Sequence, residues 1–529
     1  MRKYLVFLFF FFSVKVVAQL TEKWGDQGDG QYRNPVIPGD YSDIDAIRVW
    51  ADYYAISSTF QFSPGVVVLH SKDLVNWQII GHAANDITTI SPELNLDKMN
   101  RYGKGIWAGA IRYHAGKFWV YFGTPDEGFF MTTAKNPAGP WEPLHHLWNT
   151  SGWDDCCPFW DDDGQPYFIA THFSDNYKIH LFKMSSDGKK IDMQSDSIIH
   201  QSEGSEANKL YKINGIYYHF FSEVKSEGRV TMMERSKNIY GPYEIKQLNH
   251  VNPLTDKEPN QGGLIQAVSG DWWFFTHQGT GSWEGRAACL LPVTWVSGWP
   301  IIGKVGADTI GNMVWQYNKP IPSSAKSIPS SNDEFNQAHL SPQWEWNYQP
   351  RKDKWSLTEH KNFCRLHAFA PAKLMDTADE RKAFLRAGNT LTQRSMRTVS
   401  NEVIIKINIE GMVNGEVAGL CHFSATYSTF GIKQVGGKRL LMYDNNGQET
   451  KGPIVKQQVI WLKSVWDWNG ISQYAYSLNG KFFLPFGDGY QLTWGFYRGD
   501  RIGIFNYNAE NENGFIDVDW FHYTYASFK

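Results

Sequence analysis

Carboxylates recur in step along this 529-residue chain, and their types suit the cleavage of a glycosidic bond. Five short segments each place a turn before an aromatic pair: ADYYAIS, AGKFWVYF, DGQPYFIA, NGIYYHFF and SGDWWFFT. With Tyr54, Trp119, Phe168, Tyr218 and Trp273 taken as equivalent, the steps are 65, 49, 50 and 55 residues. Asp43 lies 11 residues before Tyr54, Asp155 lies 13 before Phe168, and Glu206 lies 12 before Tyr218. At offset 12 the other two segments present Trp107 and Gln261. Glycoside hydrolysis needs one carboxylic acid to protonate the leaving oxygen and one carboxylate to drive attack at the anomeric carbon. A third carboxylate nearby raises the pKa of the acid, because like charges disfavour ionisation.

The elements that would position these groups follow from the repeat. A period near 50 residues, with strand-like runs between turn signals such as Asn214-Gly215 and Ser269-Gly270, predicts propeller blades of about four strands each. Equivalent positions on blades around one axis meet at one mouth, so the three acids and Trp107 are expected to share a pocket. No long stretch has helical periodicity. KPIPSSAKSIPSSND (319–333) is rich in Pro and Ser and reads as an extended linker. From about Asp333 the pattern is again all-β: Val403 to Ile409 mixes alternation with an apolar run, and Tyr474 to Phe483 reads as a hairpin about Asn479-Gly480. That length suits a β-sandwich, and two domains fit the size of the chain.

Bulk properties narrow the partners. The formal net charge of −3 and pI near 6.6 provide no broad basic surface, which excludes nucleic acid as the main partner. The 16% aromatic content belongs mostly to a β-rich core, with a few rings available to stack on sugars. MRKYLVFLFFFFSVKVVAQL has a basic start, a short apolar run and a small-residue cleavage site at Val16-Val17-Ala18, which predicts a signal peptide over 1–18 and a secreted or periplasmic product. The run is too short to span a bilayer, so no membrane association is expected after cleavage. Five cysteines, two of them adjacent (Cys156 and Cys157), form no disulfide framework and have no metal-ligand spacing.

Longer stretches add a resemblance. NPVIPGDYSDIDAIRVWADYYAISSTF, GIWAGAIRYHAGKFWVYF, DDCCPFWDDDGQPYF and SEANKLYKINGIYY closely resemble family-43 glycoside hydrolases, and the segment from DEFNQ (333–337) resembles the concanavalin-A-like C-terminal domain of β-xylosidases in that family. The resemblance implies an all-β chain: a five-bladed β-propeller catalytic domain over 19–320, a linker over 321–332, and a β-sandwich (a concanavalin-A-like jelly roll) over 333–529. It further implies inverting chemistry, with Asp43 as general base, Glu206 as general acid, and Asp155 as the residue that tunes and orients the acid. Phe60 and Trp107 match positions that wall the terminal sugar subsite. Arg286, in WEGRAACLLPV, matches an arginine that binds sugar hydroxyls and keeps the base ionised, a task suited to a rigid fork of donors.

Neighbouring residues compete for these roles. Asp45 is a rival for Asp43, since the chain reads Ser42-Asp43-Ile44-Asp45 where the family has Pro-Asp-Pro; Asp154 rivals Asp155, and Glu203 rivals Glu206. Asp161-Asp162-Asp163-Gly164 reads as an acidic hairpin turn, because it lacks the further ligands of a calcium loop. Where many relatives carry a central His, this chain has Gln261, so a His-anchored calcium is not supported and no metal is assigned; Gln261 is grouped with the sugar-binding residues. His277 reads as a satisfied strand histidine. No redox or organic cofactor is implied. The expected activity is exo hydrolysis of a terminal pentose from a plant cell-wall polysaccharide or oligosaccharide, with α-L-arabinofuranosidase placed ahead of β-xylosidase. The alternative from another class is a catalytically silent, lectin-like glycan-binding propeller. The sequence gives no oligomeric state.

Overall fold

The computed structural model describes residues 23–252, 259–279, 282–322, 326–371, 384 and 389–525; the segment read as a signal peptide lies outside them. Among the described residues the chain is all-β, relieved by 3-10 turns such as Ile87–Thr89 and Pro92–Leu94.

The N-terminal half consists of five successive antiparallel meanders. Unit 1 runs Asp45–Val49, Asp52–Ser57, Gly65–Ser71 and Trp77–Ala84. Unit 2 runs Gly109–His114, Lys117–Thr124, Gly128–Ala134 and His145–Trp148. Unit 3 runs Asp154–Trp160, Pro166–His172, Lys178–Met184 and Ile191–Gln201. Unit 4 runs Glu206–Ile213, Ile216–Lys225, Gly228–Ser236 and Glu244–Asn249. Unit 5 runs Gly262–Gln266, Trp272–Gly279, Arg286–Val296 and Trp299–Ile302, and Ile37–Asp40 from the start of the chain pairs onto its third strand. All five repeat aromatics lie on second strands, so the spacing read from the sequence corresponds to one strand position per unit. The turns between first and second strands are where Asn214 and Gly215 adopt left-handed backbone, as a tight hairpin demands.

The first strands pack on one another. Asp45–Val49 lies against both Gly109–His114 and Gly262–Gln266; Gly109–His114 lies against Asp154–Trp160, and that strand against Glu206–Ile213. Approach is close: a Cβ on Gly263 would come within 2.4 Å of the Ala46 carbonyl oxygen, so only glycine fits between units 5 and 1. Units 4 and 5 are joined by the Leu264 amide donating to the Tyr211 hydroxyl at 3.1 Å. Apolar side chains from adjacent units fill the layers between them, as with Val120, Ile56 and Ile111.

The C-terminal half stacks two large antiparallel sheets. One centres on Glu416–Phe423 and Arg501–Asn508, the other on Asn401–Asn408 and Phe515–Tyr525. Alternation is strict where the core is thickest: Val403, Ile405 and Ile407 point inward, and on the paired strand so do Ile460, Leu462 and Ser464. Each such aliphatic side chain contributes about 1.5–3 kcal/mol by leaving water. The hairpin expected about Asn479-Gly480 is present, but its return strand is short and late, with Tyr476 opposite Leu484.

The halves share a sheet. Phe62–Ser63, between the second and third strands of unit 1, pairs with Glu345–Asn347 at the edge of the C-terminal sheet that centres on Glu416–Phe423. Beneath it the buried Glu345 carboxylate faces Arg394 at 3.0 Å, Arg501 at 2.8 Å and His82 at 3.1 Å. Burial by itself would raise its pKa, but the two guanidiniums, with the hydrogen bond to His82, hold it far below the usual carboxyl range. The Pro/Ser stretch is pinned to both halves: the Ser327 amide donates to Asn76, and the Tyr525 hydroxyl donates to the Pro329 carbonyl.

Candidate active site

The entrance to each first strand bears one of the residues singled out by the repeat. Asp43 precedes Asp45–Val49, Trp107 precedes Gly109–His114, Asp155 is the second residue of Asp154–Trp160, Glu206 opens its strand, and Gln261 precedes Gly262–Gln266. All five line one open cavity of about 810 Å³, together with Phe60 and Arg286. Every site residue expected from the sequence is thus brought together.

Breaks in the ladders aim these side chains. The pairing of Asp154–Trp160 with its neighbour shifts register between Asp154 and Cys157, and that of Glu206–Ile213 shifts between Glu206 and Lys209. Asp155 (φ 53°) and Ala207 (φ 72°) sit in these bulges with left-handed backbone; Asp43 and Phe60, both at φ 55°, are strained in the same way. Bulges at the ends of strands re-aim side chains, and such strain concentrates at functional sites.

Asp43 is gripped on every side. Its Oδ1 accepts from Arg286 Nη1 at 2.7 Å and its Oδ2 from the Ser58 hydroxyl at 2.6 Å. Its backbone amide donates to His277 Nδ1 at 2.6 Å, while His277 Nε2 donates to Asn260 Oδ1 at 2.8 Å. His277 is therefore a neutral imidazole with both nitrogens occupied, in keeping with a pKa that burial pushes well below the usual value. It is the satisfied histidine expected, and it also fixes the backbone of Asp43.

Glu206 is partly exposed to the cavity and has Arg229 Nη1 at 3.1 Å. Burial of its carboxyl pushes the pKa up to about 7; Arg229 opposes the rise and Asp155 adds to it. Asp155 is also raised, first by burial, against the opposing charge of the buried Lys209. It accepts a hydrogen bond from Gln261 Nε2, and its backbone carbonyl accepts from Asn208 Nδ2 at 2.9 Å.

The rivals separate. Asp45 is buried away from the cavity, where it accepts from the Ile111 amide at 2.9 Å and Arg112 Nη1 at 2.6 Å and so ties unit 1 to unit 2. Glu203 is exposed and not in the cavity lining. Asp154 does line the cavity, with its pKa raised by burial and by Asp155. Its carboxylate is wedged toward unit 2, where a Cβ on Gly123 would lie 2.6 Å from Oδ1, whereas Asp155 reaches Gln261 of unit 5. Asp161 is structural: it accepts from Lys212 and the Tyr217 hydroxyl in a hairpin turn.

Several lining groups escaped the sequence reading. Phe173 and Tyr177 come from the turn after the second strand of unit 3, and Tyr497 comes from the C-terminal half, its ring 5.8 Å from Trp107 in an edge contact. No repeat register reaches Tyr497, 195 positions beyond the end of the last unit at Ile302. Lys209 did leave a signal, a lysine among the uncharged residues Ala207, Asn208 and Leu210 of Glu206–Ile213, all of them buried. All five cysteines are buried, and none is in a disulfide among the described residues.

Residues 32–300 match the Glycosyl hydrolases family 43 model and residues 332–524 match the Beta xylosidase C-terminal Concanavalin A-like domain. A Beta-xylosidase of Formosa agariphila is 34% identical, over 97% of this chain and 93% of that one. A Non-reducing end alpha-L-arabinofuranosidase of Bacteroides ovatus is 31% identical, over 74% of this chain and 73% of that one. Among solved structures, the GH43 protein BlXynB of Bacillus licheniformis superposes with a TM-score of 0.78 at 26% identity, covering 94% of this chain and all of that one. With its carboxylates gathered in one cavity and these matches along nearly its whole length, the chain belongs to family 43 of the glycosyl hydrolases.

Proposed function

We propose that this glycosidase is exo-acting and releases a terminal pentose, β-D-xylose or α-L-arabinofuranose, from plant cell-wall glycans with inversion of configuration. The observation that carries the proposal is the opposed state of two carboxyls in one cavity: Glu206 has a pKa of about 7, and Asp43 is clamped by Arg286 and Ser58. Glu206 holds a proton near neutral pH and delivers it to the leaving oxygen. Asp43, whose oxygens both accept hydrogen bonds, takes a proton from the attacking water. Asp155 keeps Glu206 protonated by its charge, and Arg286 bridges Asp43 to the sugar hydroxyls. An inverting enzyme holds its two carboxyls ~6.5–9.5 Å apart, leaving room for that water. Phe60 and Trp107 wall the terminal sugar, and Tyr497 narrows the entrance. The reaction needs no redox or organic cofactor.

The sequence alone placed arabinofuranoside first. The relative matched over 93% of its own length is named for β-xylosidase activity, and we put β-D-xyloside first on that basis. The five meanders are read as the blades of a five-bladed propeller over 19–320, joined through 321–332 to a sandwich over 333–529, in a protein exported after removal of 1–18. A lectin-like role without turnover is the weaker reading, because binding alone requires no carboxyl held protonated.

The test is release of nitrophenol from aryl β-D-xyloside and aryl α-L-arabinofuranoside, with NMR of the first-formed sugar. Turnover of either with an inverted product, lost in Glu206→Ala, supports the proposal. A retained anomer overturns the mechanism, and binding without release returns the chain to the lectin reading.

A further inference from the structure

Unit 3 carries a group of ligand-type side chains that glycoside cleavage does not use. His172 ends the strand Pro166–His172, Asp175 lies in the following turn, and His180 is in Lys178–Met184. The pairing sets Ala170 opposite His180 and His172 opposite Lys178, so both imidazoles leave the same face of the hairpin. One ligand atom from each of the three residues lies within 4.8 Å of the others.

The setting of His180 points to an ion. Its side chain is only 8% exposed, and its Nδ1 faces Asp196 Oδ1 at 2.8 Å. Donation to that carboxylate leaves Nε2 with its lone pair, and this buried atom has no hydrogen-bond partner. A carboxylate on one imidazole nitrogen, with the other presented to a metal, is the usual outer support of a metal-binding histidine. The Trp153 ring stacks on His172 at 4.1 Å and meets His180 edge-on at 4.8 Å, which holds both ring planes. Asp175 is the adjustable member: 41% exposed, it is paired through Oδ2 with Lys178 at 2.8 Å. Tetrahedral bonds of ~2.0–2.1 Å separate ligand atoms by about 3.4 Å, so the group must close by up to about 1.4 Å, which a turn carboxylate can supply.

We propose that His172, Asp175 and His180 bind a divalent transition-metal ion of the Zn²⁺ type, with water completing its shell. Two imidazoles and one carboxylate suit Zn²⁺ and not Ca²⁺, which takes oxygen ligands. The ion ties the two strands at the base of a turn whose Phe173 and Tyr177 line the cavity, so it braces one wall of the sugar site. That last consequence rests on the cavity being the glycosidase site; the ion site does not.

Tag-free, chelator-treated full chain is titrated with ZnCl₂ by calorimetry, and its Tm and backbone hydrogen exchange are followed. We expect one Zn²⁺ per chain, a raised Tm and slower exchange over 173–178. His172→Ala and His180→Ala each weaken binding at least ~100-fold, and Asp196→Asn about 10–100-fold, while His522→Ala, on the other half, changes nothing. His172→Gln replaces any alanine variant that fails to fold. The absence of stoichiometric binding, or binding retained in the His172→Ala/His180→Ala double variant, overturns the site. Zinc binding without slowed exchange over 173–178 overturns the bracing of the wall. Because none of these readouts involves turnover, loss of the glycosidase reading and loss of the metal site are separately visible.

Discussion

The two halves of this chain use the same strands to opposite ends. In the C-terminal sheets the described ladders slip register only beside Lys406 and Leu440, the inward-facing Val403, Ile405 and Ile407 are aliphatic, and buried charges such as Glu345, Arg394 and Arg501 are paired with one another. In the N-terminal half the ladders break where first strands begin: Asp155 and Ala207 are left-handed, register slips beside them, and Asp154, Asp155 and Lys209 are buried ionisable groups. Regular pairing gives stability with no freedom to aim a side chain. Irregular pairing gives up some stability to point three acids at one space.

The sharpest way to break that contrast is to remove a carboxyl. Glu206→Ala and Asp43→Ala are each expected to lower kcat/KM by about 10³–10⁴-fold, with circular dichroism and Tm near those of the parent protein. The reverse experiment is Leu462→Ala in the sandwich core. Denaturant unfolding should show a loss of about 2–5 kcal/mol, while kcat/KM per folded molecule stays unchanged.

Smaller changes sharpen the boundary between the halves. Tyr497→Ala removes the ring that the C-terminal half lends to the cavity, and we expect KM to rise about 2–10-fold, the worth of an aromatic contact, with kcat nearly constant. Arg229→Ala removes the cation beside Glu206, along with its hydrogen bonds to the Gly204 carbonyl and the Ser222 hydroxyl. With Glu206 as the proposed general acid, its protonated form carries turnover, and activity is expected to fall as pH rises through about 7. Arg229 lowers that value, and its removal should move the alkaline limb of the pH–rate profile upward. Linkage has the same sign: the raised pKa of Glu206 contributes stability that is full below the ordinary carboxyl range and is lost as pH rises through about 7.

Much of this was legible in the sequence because the repeat fixes a strand position in each unit. Asp43, Trp107, Asp155, Glu206 and Gln261 were found from spacing, and all line the cavity. The offsets of 13 at Asp155 and 11 at Asp43 depart from 12 where Asp155 sits at a bulge that inserts residues and Asp43 lies in a loop before its strand. Asp45, a rival two residues away in sequence, parts from Asp43 in space, since the left-handed backbone at Asp43 turns the two side chains to different places. Tyr497, Phe173 and the clamp of Ser58 and His277 on Asp43 arise from contacts between distant segments, which no local pattern encodes.

The pairing of Phe62–Ser63 with Glu345–Asn347 has a further consequence for anyone wishing to cut or recombine this enzyme. The seam visible along the sequence at 321–332 is not the seam in space, because one strand of the second body is supplied by the first. A chain ended near residue 320 would present bare backbone at Phe62–Ser63 and leave His82 without its Glu345 partner. The C-terminal portion alone would present an open sheet edge ready to pair with another molecule. Grafting either portion onto a foreign partner therefore requires carrying the loop with it, and the unit of inheritance for this pocket is the pair.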